Sequence, residues 1–159
     1  MNPASVAIIA GWNNVSIPHV RALFREYANA IGVDLCFQDF ENELAELPGR
    51  YLAERGGQLW LARRDGELAG CVALHRLDDR VCEMKRLYVR PGFRGMNLGR
   101  RLADAVIAGA RDVGYERMRL DTLPSMQTAI AMYESLGFHD IAPYRHNPIE
   151  GARYMELVL

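Results

Sequence analysis

One stretch, residues 84–102, constrains the fold of this chain more than any other part of the sequence. A β-branched and aromatic run stops at Arg90-Pro91-Gly92, a second glycine-containing turn covers residues 94–99, and helical periodicity follows over residues 100–113. This pattern predicts a strand that passes through a tight turn into a helix. A helix start has unpaired backbone N–H groups and the positive end of the helix dipole, so the turn suits a phosphate or pyrophosphate.

Composition limits the classes of protein to which the chain can belong. Its 159 residues, half hydrophobic and a quarter charged, predict one soluble domain over residues 1–159. A net charge of −1 does not favour a nucleic-acid partner. We find neither a signal peptide nor the run of ~20 apolar residues that a membrane span needs. Three cysteines without metal-type spacing (Cys36, Cys71 and Cys82) suggest reduced thiols, a cytoplasmic location and no metal.

The periodicity predicts the element order β-α-α-β-β-β-α-β-α-β-β. Asp65-Gly66 marks a hairpin, and Asp78-Asp79 a two-residue turn that would place Cys82 opposite His75 and Glu83 opposite Leu74. The fold class is therefore α/β, with a mixed, mostly antiparallel sheet of about six to seven strands and about four helices. The predicted strands cover residues 5–10, 59–63, 68–77, 81–89, 118–122, 138–142 and 154–158. The predicted helices lie within residues 16–32, 40–47, 100–113 and 126–136, the first capped by Ser16.

Two motifs resemble those of the GNAT superfamily of acyl-CoA-dependent N-acetyltransferases. Residues 94–99 read RGMNLG, similar to the family pattern Arg/Gln-x-x-Gly-x-Gly/Ala, with Asn97 in place of its central glycine. Asparagine tolerates a left-handed backbone, so the turn can form. Residues 129–138 read AIAMYESLGF, similar to A-x-x-x-Y-x-x-x-G-F. Met126 stands where many members carry asparagine.

The resemblance implies acetyl-CoA as cofactor and direct transfer of its acetyl group to a primary amine of a small molecule or peptide. It assigns Tyr133 as the acid that protonates the CoA thiolate and Glu83 as general base, with His75 or water as alternatives. Strand alternation would place Glu83 and Val89 on one face. The implied cofactor-binding residues are Leu87, Tyr88, Val89, Arg94, Gly95, Met96, Asn97, Leu98, Gly99, Arg100, Ala129 and Met132.

The resemblance also places the acceptor against the first two helices and the last two strands. Candidate substrate-binding residues there are Phe37, Phe40, Tyr144 and Arg145, and Arg145 would favour an acceptor with a carboxylate. A non-catalytic acyl-CoA-binding domain of the same fold and a protein-interaction module remain alternatives, and a homodimer is compatible with the family. An acyl-cysteine mechanism is disfavoured because the predicted register does not oppose Cys71 and Cys82.

Overall fold

The computed structural model describes residues 5–12, 17–32, 34–35 and 39–159. The predicted Ser16 cap, Cys36 and the candidate substrate contact Phe37 lie outside this part of the chain. The strands are β1 (Val6–Ala10), β2 (Gln58–Arg64), β3 (Glu67–Arg76), β4 (Val81–Val89), β5 (Arg117–Thr122), β6 (His139–Ile141) and β7 (Arg153–Val158). The α-helices are α1 (Ile17–Ile31), α2 (Phe40–Glu46), α3 (Leu98–Val113) and α4 (Gln127–Leu136).

The seven strands form one sheet in the order β1-β2-β3-β4-β5-β7-β6. Neighbours are antiparallel except β4 and β5, which are parallel. A parallel pair needs a crossover connection, which α3 supplies between these two strands. The predicted element order and the mixed, mostly antiparallel sheet are both confirmed.

The parallel pair β4–β5 opens towards the ends of its strands. Pairing covers Val81–Glu83 of β4 and Arg117–Arg119 of β5, although both strands continue beyond these residues. Backbone groups on the facing edges of their last residues therefore have no strand partner across the gap. We call this gap the β4–β5 cleft.

A β-bulge in β4 reverses the alternation of side chains. Between the pairs Cys71–Tyr88 and Ala73–Lys85, β3 has one intervening residue and β4 has two, and one of these two, Arg86, has φ 60°. An extra residue in one strand moves every later side chain to the other face. The prediction that Glu83 shares a face with Val89 is therefore wrong.

The β3–β4 turn also corrects the predicted pairing. The connection is longer than two residues: the N–H groups of Leu77 and Asp78 both donate to the Val81 carbonyl. The Asp78 carboxylate in turn accepts hydrogen bonds from the N–H groups of Arg80 and Val81. This turn shifts the register by one residue, so that His75 lies directly opposite Glu83.

Each face of the sheet packs against a different pair of helices. Helices α3 and α4 cover one face, where Met84, Leu120 and Met155 join the buried helix residues in one hydrophobic cluster. Helices α1 and α2 cover the β2–β4 part of the other face, and their buried side chains surround Leu61 and Cys71. Across the described residues, no helix is both long and apolar enough to span a bilayer.

Candidate active site

The turn before α3 presents unpaired backbone donors. Helix α3 begins at Leu98, two residues earlier than predicted, and its first turn closes with the hydrogen bond from Arg101 N–H to the Asn97 carbonyl at 3.1 Å. The N–H groups of residues 98–100 precede that bond and point out of the helix end. Arg94 differs, because its N–H donates to the Pro91 carbonyl at 3.3 Å. We call residues 94–100 the phosphate turn.

Asn97 adopts the left-handed conformation that its position in the motif requires. Its φ is 63° and its ψ 21°, and Gly95 in the same turn has φ 82°. The predicted tolerance of asparagine at this point is therefore confirmed for the backbone. Met96 and Gly99 are partly buried, whereas Arg94, Gly95 and Asn97 are exposed.

The β4–β5 cleft is lined by residues of β4, β5, α1 and α4, and β4 continues from it into the phosphate turn. The Arg90 N–H donates to the Ala69 carbonyl of β3. Because alternate residues of a strand direct their backbone groups to the same neighbour, those of Leu87 and Val89 face away from β3, towards the cleft. Tyr88 is placed differently from the prediction: it pairs with Cys71 of β3, and its hydroxyl donates to Glu26 at 3.4 Å.

Helix α4 supplies the wall opposite β4. Ala129, Met132 and Tyr133 recur at helical spacing and pack against the α3-side cluster. Tyr133 is buried, lines the cleft and packs against Phe138 with ring centroids 5.6 Å apart. Burial raises the pKa of the Tyr133 hydroxyl far above its usual value, so that the group stays protonated and able to donate at neutral pH.

Helix α4 starts without a side-chain cap. Met126 is the N-cap residue and makes no side-chain cap bond, because its thioether is a much weaker acceptor than the Asn or Asp oxygen that suits this position. Met126→Asn should therefore raise the free energy of unfolding by about 1 kcal/mol. Thermal unfolding of Met126→Asn beside Met126→Leu, which adds no acceptor, measures the effect. Equal melting temperatures for the two variants would contradict the prediction.

The predicted base Glu83 belongs to a buried ionic cluster. Its carboxylate accepts hydrogen bonds from His75 Nε2 at 2.8 Å and from the Tyr144 hydroxyl at 2.6 Å. It also pairs with the Arg145 guanidinium, and Lys85 Nζ lies 3.6 Å away. Burial alone would raise the pKa of Glu83, but the His75 hydrogen bond and the two cationic neighbours outweigh it and hold the pKa far below its usual range. Such a carboxylate is a weak proton acceptor.

His75, the alternative base, is part of the same cluster. Its ring nitrogen contacts Glu83, and its ring stands edge-on to Tyr51 with centroids 6.1 Å apart. Burial lowers the pKa of His75, while the hydrogen bond with Glu83 opposes that shift. Neither His75 nor Glu83 lines the β4–β5 cleft.

Strand alternation places a set of polar side chains on the sheet face opposite α3. Met118 and Leu120 of β5 face the α3 side, so Arg119 and Asp121 point to the opposite side. We call this surface the polar face. Its members are His75, Glu83, Lys85, Arg119, Asp121 and Glu156.

Residues 142–152, which connect β6 and β7, fold over the polar face. Two guanidinium groups lie over the Tyr144 ring, that of Arg119 at 5.4 Å and that of Arg145 at 5.2 Å from the ring centroid. The Tyr154 hydroxyl donates to the Arg145 carbonyl at 2.8 Å. Two of the predicted acceptor contacts, Tyr144 and Arg145, therefore lie together next to Glu83.

Phe40 has a different role from the predicted one. It is buried in the α1–α2 cluster, and the Arg86 guanidinium lies 5.0 Å from its ring centroid. A side chain packed in this way supports the core and does not offer a surface to a substrate. Phe40 therefore occupies its predicted helix but not the predicted acceptor site.

Sequence reasoning did not single out two side chains that line the cleft, Lys85 and Asp121. Burial lowers the pKa of Lys85 to about 8, against the opposing charges of Glu83 and Asp121. The available signal was alternation. Lys85 follows Glu83 by two residues, and Asp121 follows Arg119 by two residues in a strand where Met118 and Leu120 are the apolar residues between the charged ones.

The described residues disfavour an acyl-cysteine mechanism and contain no cluster suited to a metal ion. Cys71 and Cys82 are buried free thiols, and burial raises the pKa of each to about 12. Such thiols are almost entirely protonated at neutral pH and make poor nucleophiles, which disfavours an acyl-cysteine. Within the described ranges, no group of three or more His, Cys, Asp or Glu residues could hold a metal ion.

The arrangement defines a class of protein: an α/β transferase whose sheet opens between two parallel strands beside an anion-binding helix start. Residues 19–138 match the Acetyltransferase (GNAT) family, and the chain belongs to that family. It is accordingly an N-acetyltransferase that takes its acetyl group from acetyl-CoA.

Relatives and solved structures agree with this assignment. The chain is 39% identical over 158 residues to a Schizosaccharomyces pombe protein described as an uncharacterized N-acetyltransferase, with 99% of this chain and 97% of the relative covered. An acetyltransferase structure from Streptococcus agalactiae superposes with a TM-score of 0.78 at 25% identity, covering 97% and 98% of the two chains. A GNAT acetyltransferase from Elizabethkingia anophelis, solved with acetyl-CoA bound, shares the fold with a TM-score of 0.67 at 22% identity over 97% and 98%.

Proposed function

We propose that this chain acetylates the primary amine of a small, amino-acid-like acceptor by direct attack on acetyl-CoA held in the β4–β5 cleft. The observation that supports the proposal best is the placement of β4, which lines the cleft beside Tyr133 and leads along the chain into the phosphate turn. The free backbone edge of β4 and the unpaired N–H groups at the start of α3 therefore belong to one short segment of chain.

The phosphate turn fits the pyrophosphate of the donor. Backbone donors of residues 95–100, the helix dipole and the guanidinium of Arg100 supply charge and hydrogen bonds of the right sign. The partly exposed Arg100 pairs with Asp104 at 3.3 Å and also contacts Ser135 of α4, so it links α3 and α4 at this end of the cleft. Leu87 and Val89 would pair through their backbone with the pantetheine amides, as an added strand would.

In this proposal, Leu87 and Tyr133 have different roles in the acetyl transfer. The Leu87 N–H donates to the thioester oxygen, where negative charge develops during attack. The Tyr133 hydroxyl gives its proton to the departing thiolate. Because the acceptor attacks directly, no cysteine is needed.

For Glu83 we propose a positioning role in place of the predicted general base. Its carboxylate holds Tyr144 and Arg145 of the β6–β7 connection against the sheet. Arg145 remains a quarter exposed, and a guanidinium has five N–H donors, so it can also bind a carboxylate of the acceptor. An acceptor with neighbouring amine and carboxylate groups suits this geometry.

Two predictions about context are retained as proposals. A cytoplasmic location is supported by Cys71 and Cys82, which are reduced and separated in the fold. A homodimer is compatible with the family resemblance and is tested by light scattering of the purified chain over a concentration series.

An amine-panel assay tests the proposed function. The purified protein is incubated with acetyl-CoA and amino acids, their decarboxylated amines and N-terminal peptides, while thiol release is recorded. We expect amine-dependent CoA release that is fastest with acceptors carrying a carboxylate. Tight acetyl-CoA binding without turnover on the whole panel would instead support the non-catalytic acyl-CoA-binding alternative.

The left-handed residue in the phosphate turn gives a further prediction. Asn97→Val places a β-branched side chain at φ 63°, which costs about 1–2 kcal/mol and should weaken acetyl-CoA binding by about tenfold. Asn97→Gly adopts the same conformation without that cost and is the matched control. Titration calorimetry with acetyl-CoA compares the two, and equal dissociation constants would show that this backbone conformation is not needed for binding.

A further inference from the structure

The carboxylates on the acceptor side of the sheet differ in how fully their charge is satisfied. Glu83 accepts two hydrogen bonds and pairs with two cations. Glu43 holds Arg86 through two bonds, and Glu156 pairs with Arg117 and Arg119. In contrast, the hydrogen bond that Asp121 accepts comes from a neutral amide, Asn147 Nδ2, at 3.3 Å. Of these four carboxylates, that of Asp121 therefore has the fewest hydrogen-bond and ion-pair partners.

Asp121 also lies where the reaction must occur. It sits two residues beyond Arg119, the last residue of β5 that pairs with β4, and lines the cleft together with Lys85 and Tyr133. Tyr154 of β7 pairs with Asp121, and its hydroxyl donates to the Arg145 carbonyl of the β6–β7 connection. An acceptor bound between Tyr27 of α1 and Asn147 of this connection would lie beside Asp121.

From this placement, we infer that Asp121 binds the ammonium group of the acceptor and takes its proton before attack. The inference rests on the proposed function and deepens it, because it names the cationic form as the one that the site binds. Together with Arg145 it defines a zwitterionic acceptor, whose ammonium lies at Asp121 and whose carboxylate lies at Arg145. The same connection carries both contacts, because Asn147, two residues beyond Arg145, donates to Asp121 at 3.3 Å.

The proton and electron balance of the step is complete. The ammonium transfers one proton to the Asp121 carboxylate and becomes a neutral amine. Its lone pair forms the C–N bond to the acetyl carbon, the C–S bond breaks, and the thiolate takes the Tyr133 proton. The second proton lost from nitrogen passes to solvent, and the proton held by Asp121 is exchanged through solvent for the one that Tyr133 gave up, so both side chains return to their starting states. Each turnover therefore yields the amide, CoA thiol and one net proton, with no oxidant or reductant.

Several ionisable groups face Asp121 and would shape the pH profile of this step. They come from α1, β4, α4, the β6–β7 connection and β7, and the charge of Asp121 acts on each of them. They are Tyr27, Lys85, Tyr133, Tyr144, Arg145 and Tyr154. Of these, Lys85 titrates nearest to neutral pH, so its charge also affects how strongly an ammonium is held.

Asp121→Asn tests the inference, because it removes the charge and keeps an oxygen for Asn147. We expect kcat/KM for alkylammonium acceptors to fall about 100-fold, since a positioned base contributes that order of acceleration. An arylamine is neutral at pH 7 and should lose less than about threefold. The dissociation constant for acetyl-CoA should stay within about twofold. Asp79→Asn is the control for charge, because Asp79 lies in the exposed β3–β4 turn with 98% of its side chain accessible.

A binding measurement supplies a readout that is independent of turnover. In titration calorimetry, an alkylamine should bind the enzyme–CoA complex of Asp121→Asn about tenfold more weakly than the wild-type complex, as expected for the loss of a charge-assisted hydrogen bond. Asp121→Glu retains the charge and should restore part of both binding and turnover.

The outcomes separate the inference from the proposed function. If the wild type acetylates alkylamines and Asp121→Asn does so equally well, the inference is overturned and the function stands. Equal losses on alkylamines and arylamines would make Asp121 structural, which also overturns it. If the wild type binds acetyl-CoA but acetylates no amine, the proposed function fails and the inference fails with it.

Discussion

Replacing Tyr133 by phenylalanine should lower kcat by about 100-fold while the dissociation constant for acetyl-CoA changes by less than about twofold. The hydroxyl lines the β4–β5 cleft, and its raised pKa keeps it protonated throughout the neutral range. Phenylalanine preserves the ring that packs on Phe138, so the helix and the cleft wall should keep their positions. Steady-state thiol release and calorimetric binding, measured on the same preparation, separate the chemical effect from a binding effect.

Tyr115→Phe is the matched control for the loss of a buried hydroxyl. Tyr115 follows the C-terminal end of α3 and donates to the Gly56 carbonyl at 2.7 Å, and it does not line the cleft, so its loss should lower stability and leave kcat unchanged. An unchanged kcat in Tyr133→Phe would remove this tyrosine from the proposed mechanism. A fall in kcat for both variants would indicate that the hydroxyls act through stability.

Replacing Arg86 by methionine should lower the free energy of unfolding by about 3 kcal/mol or more. The Arg86 guanidinium holds Glu43 through two hydrogen bonds, at 3.0 and 2.9 Å, and both side chains are buried. Two arginines, Arg86 and Arg50, pair with the Glu43 carboxylate. The methionine variant leaves this carboxylate buried and keeps only the pairing with Arg50. This pair fastens α2 to the bulge of β4, so the loss should also loosen the cleft.

An exposed ion pair in the same part of the molecule provides the comparison. Arg25 of α1 bonds Glu41 of α2 in a similar two-point contact, but half of the Arg25 side chain and 70% of Glu41 are accessible. Arg25→Met should therefore cost less than about 1 kcal/mol. Urea unfolding of both variants measures the difference, and equal losses would contradict the view that burial decides the cost.

Lowering the pH should reduce the stability of the wild type, because protonation of Glu43 removes its ion pair with Arg86. Burial alone would raise the pKa of Glu43, but the hydrogen bonds and charge of Arg86 outweigh it, and the pKa lies below the usual value. A carboxyl whose pKa is lowered on folding adds stability that is present above its unfolded pKa and is lost as pH falls through the folded one. The wild type should thus lose more stability below about pH 4 than Arg86→Met does.

The sequence predicted elements well where the pattern was local. The strand, turn and helix over residues 84–113 follow from residue types whose preferences act within a few positions. Asn97 took the left-handed conformation expected for it, and Gly114 and Gly137 end α3 and α4 with φ values of 103° and 102°. Family motifs then identified the acetyltransferase fold, because the phosphate turn and the Tyr133 helix depend on contiguous residues.

The sequence was less reliable where one residue of register decides which side chains meet. Opposite Glu83, the predicted partner was Leu74, whereas the longer β3–β4 turn places His75 there. Alternation predicted Glu83 and Val89 on one face, but the bulge at Arg86 separates them. Neither the turn length nor the bulge carries a signal in the residues themselves, since both are set by pairing with β3.

The sequence by itself determined the element order, the phosphate turn and the helix that carries Tyr133, since local preferences and contiguous motifs specify each of them. Tertiary structure alone decided which carboxylate faces an acceptor. Glu83, the residue that the sequence favoured, is enclosed by His75, Tyr144 and Arg145, which come from a neighbouring strand and a distant connection. Asp121 reaches the cleft because β4 and β5 stop pairing after three residues, and only the assembled sheet fixes where that opening lies.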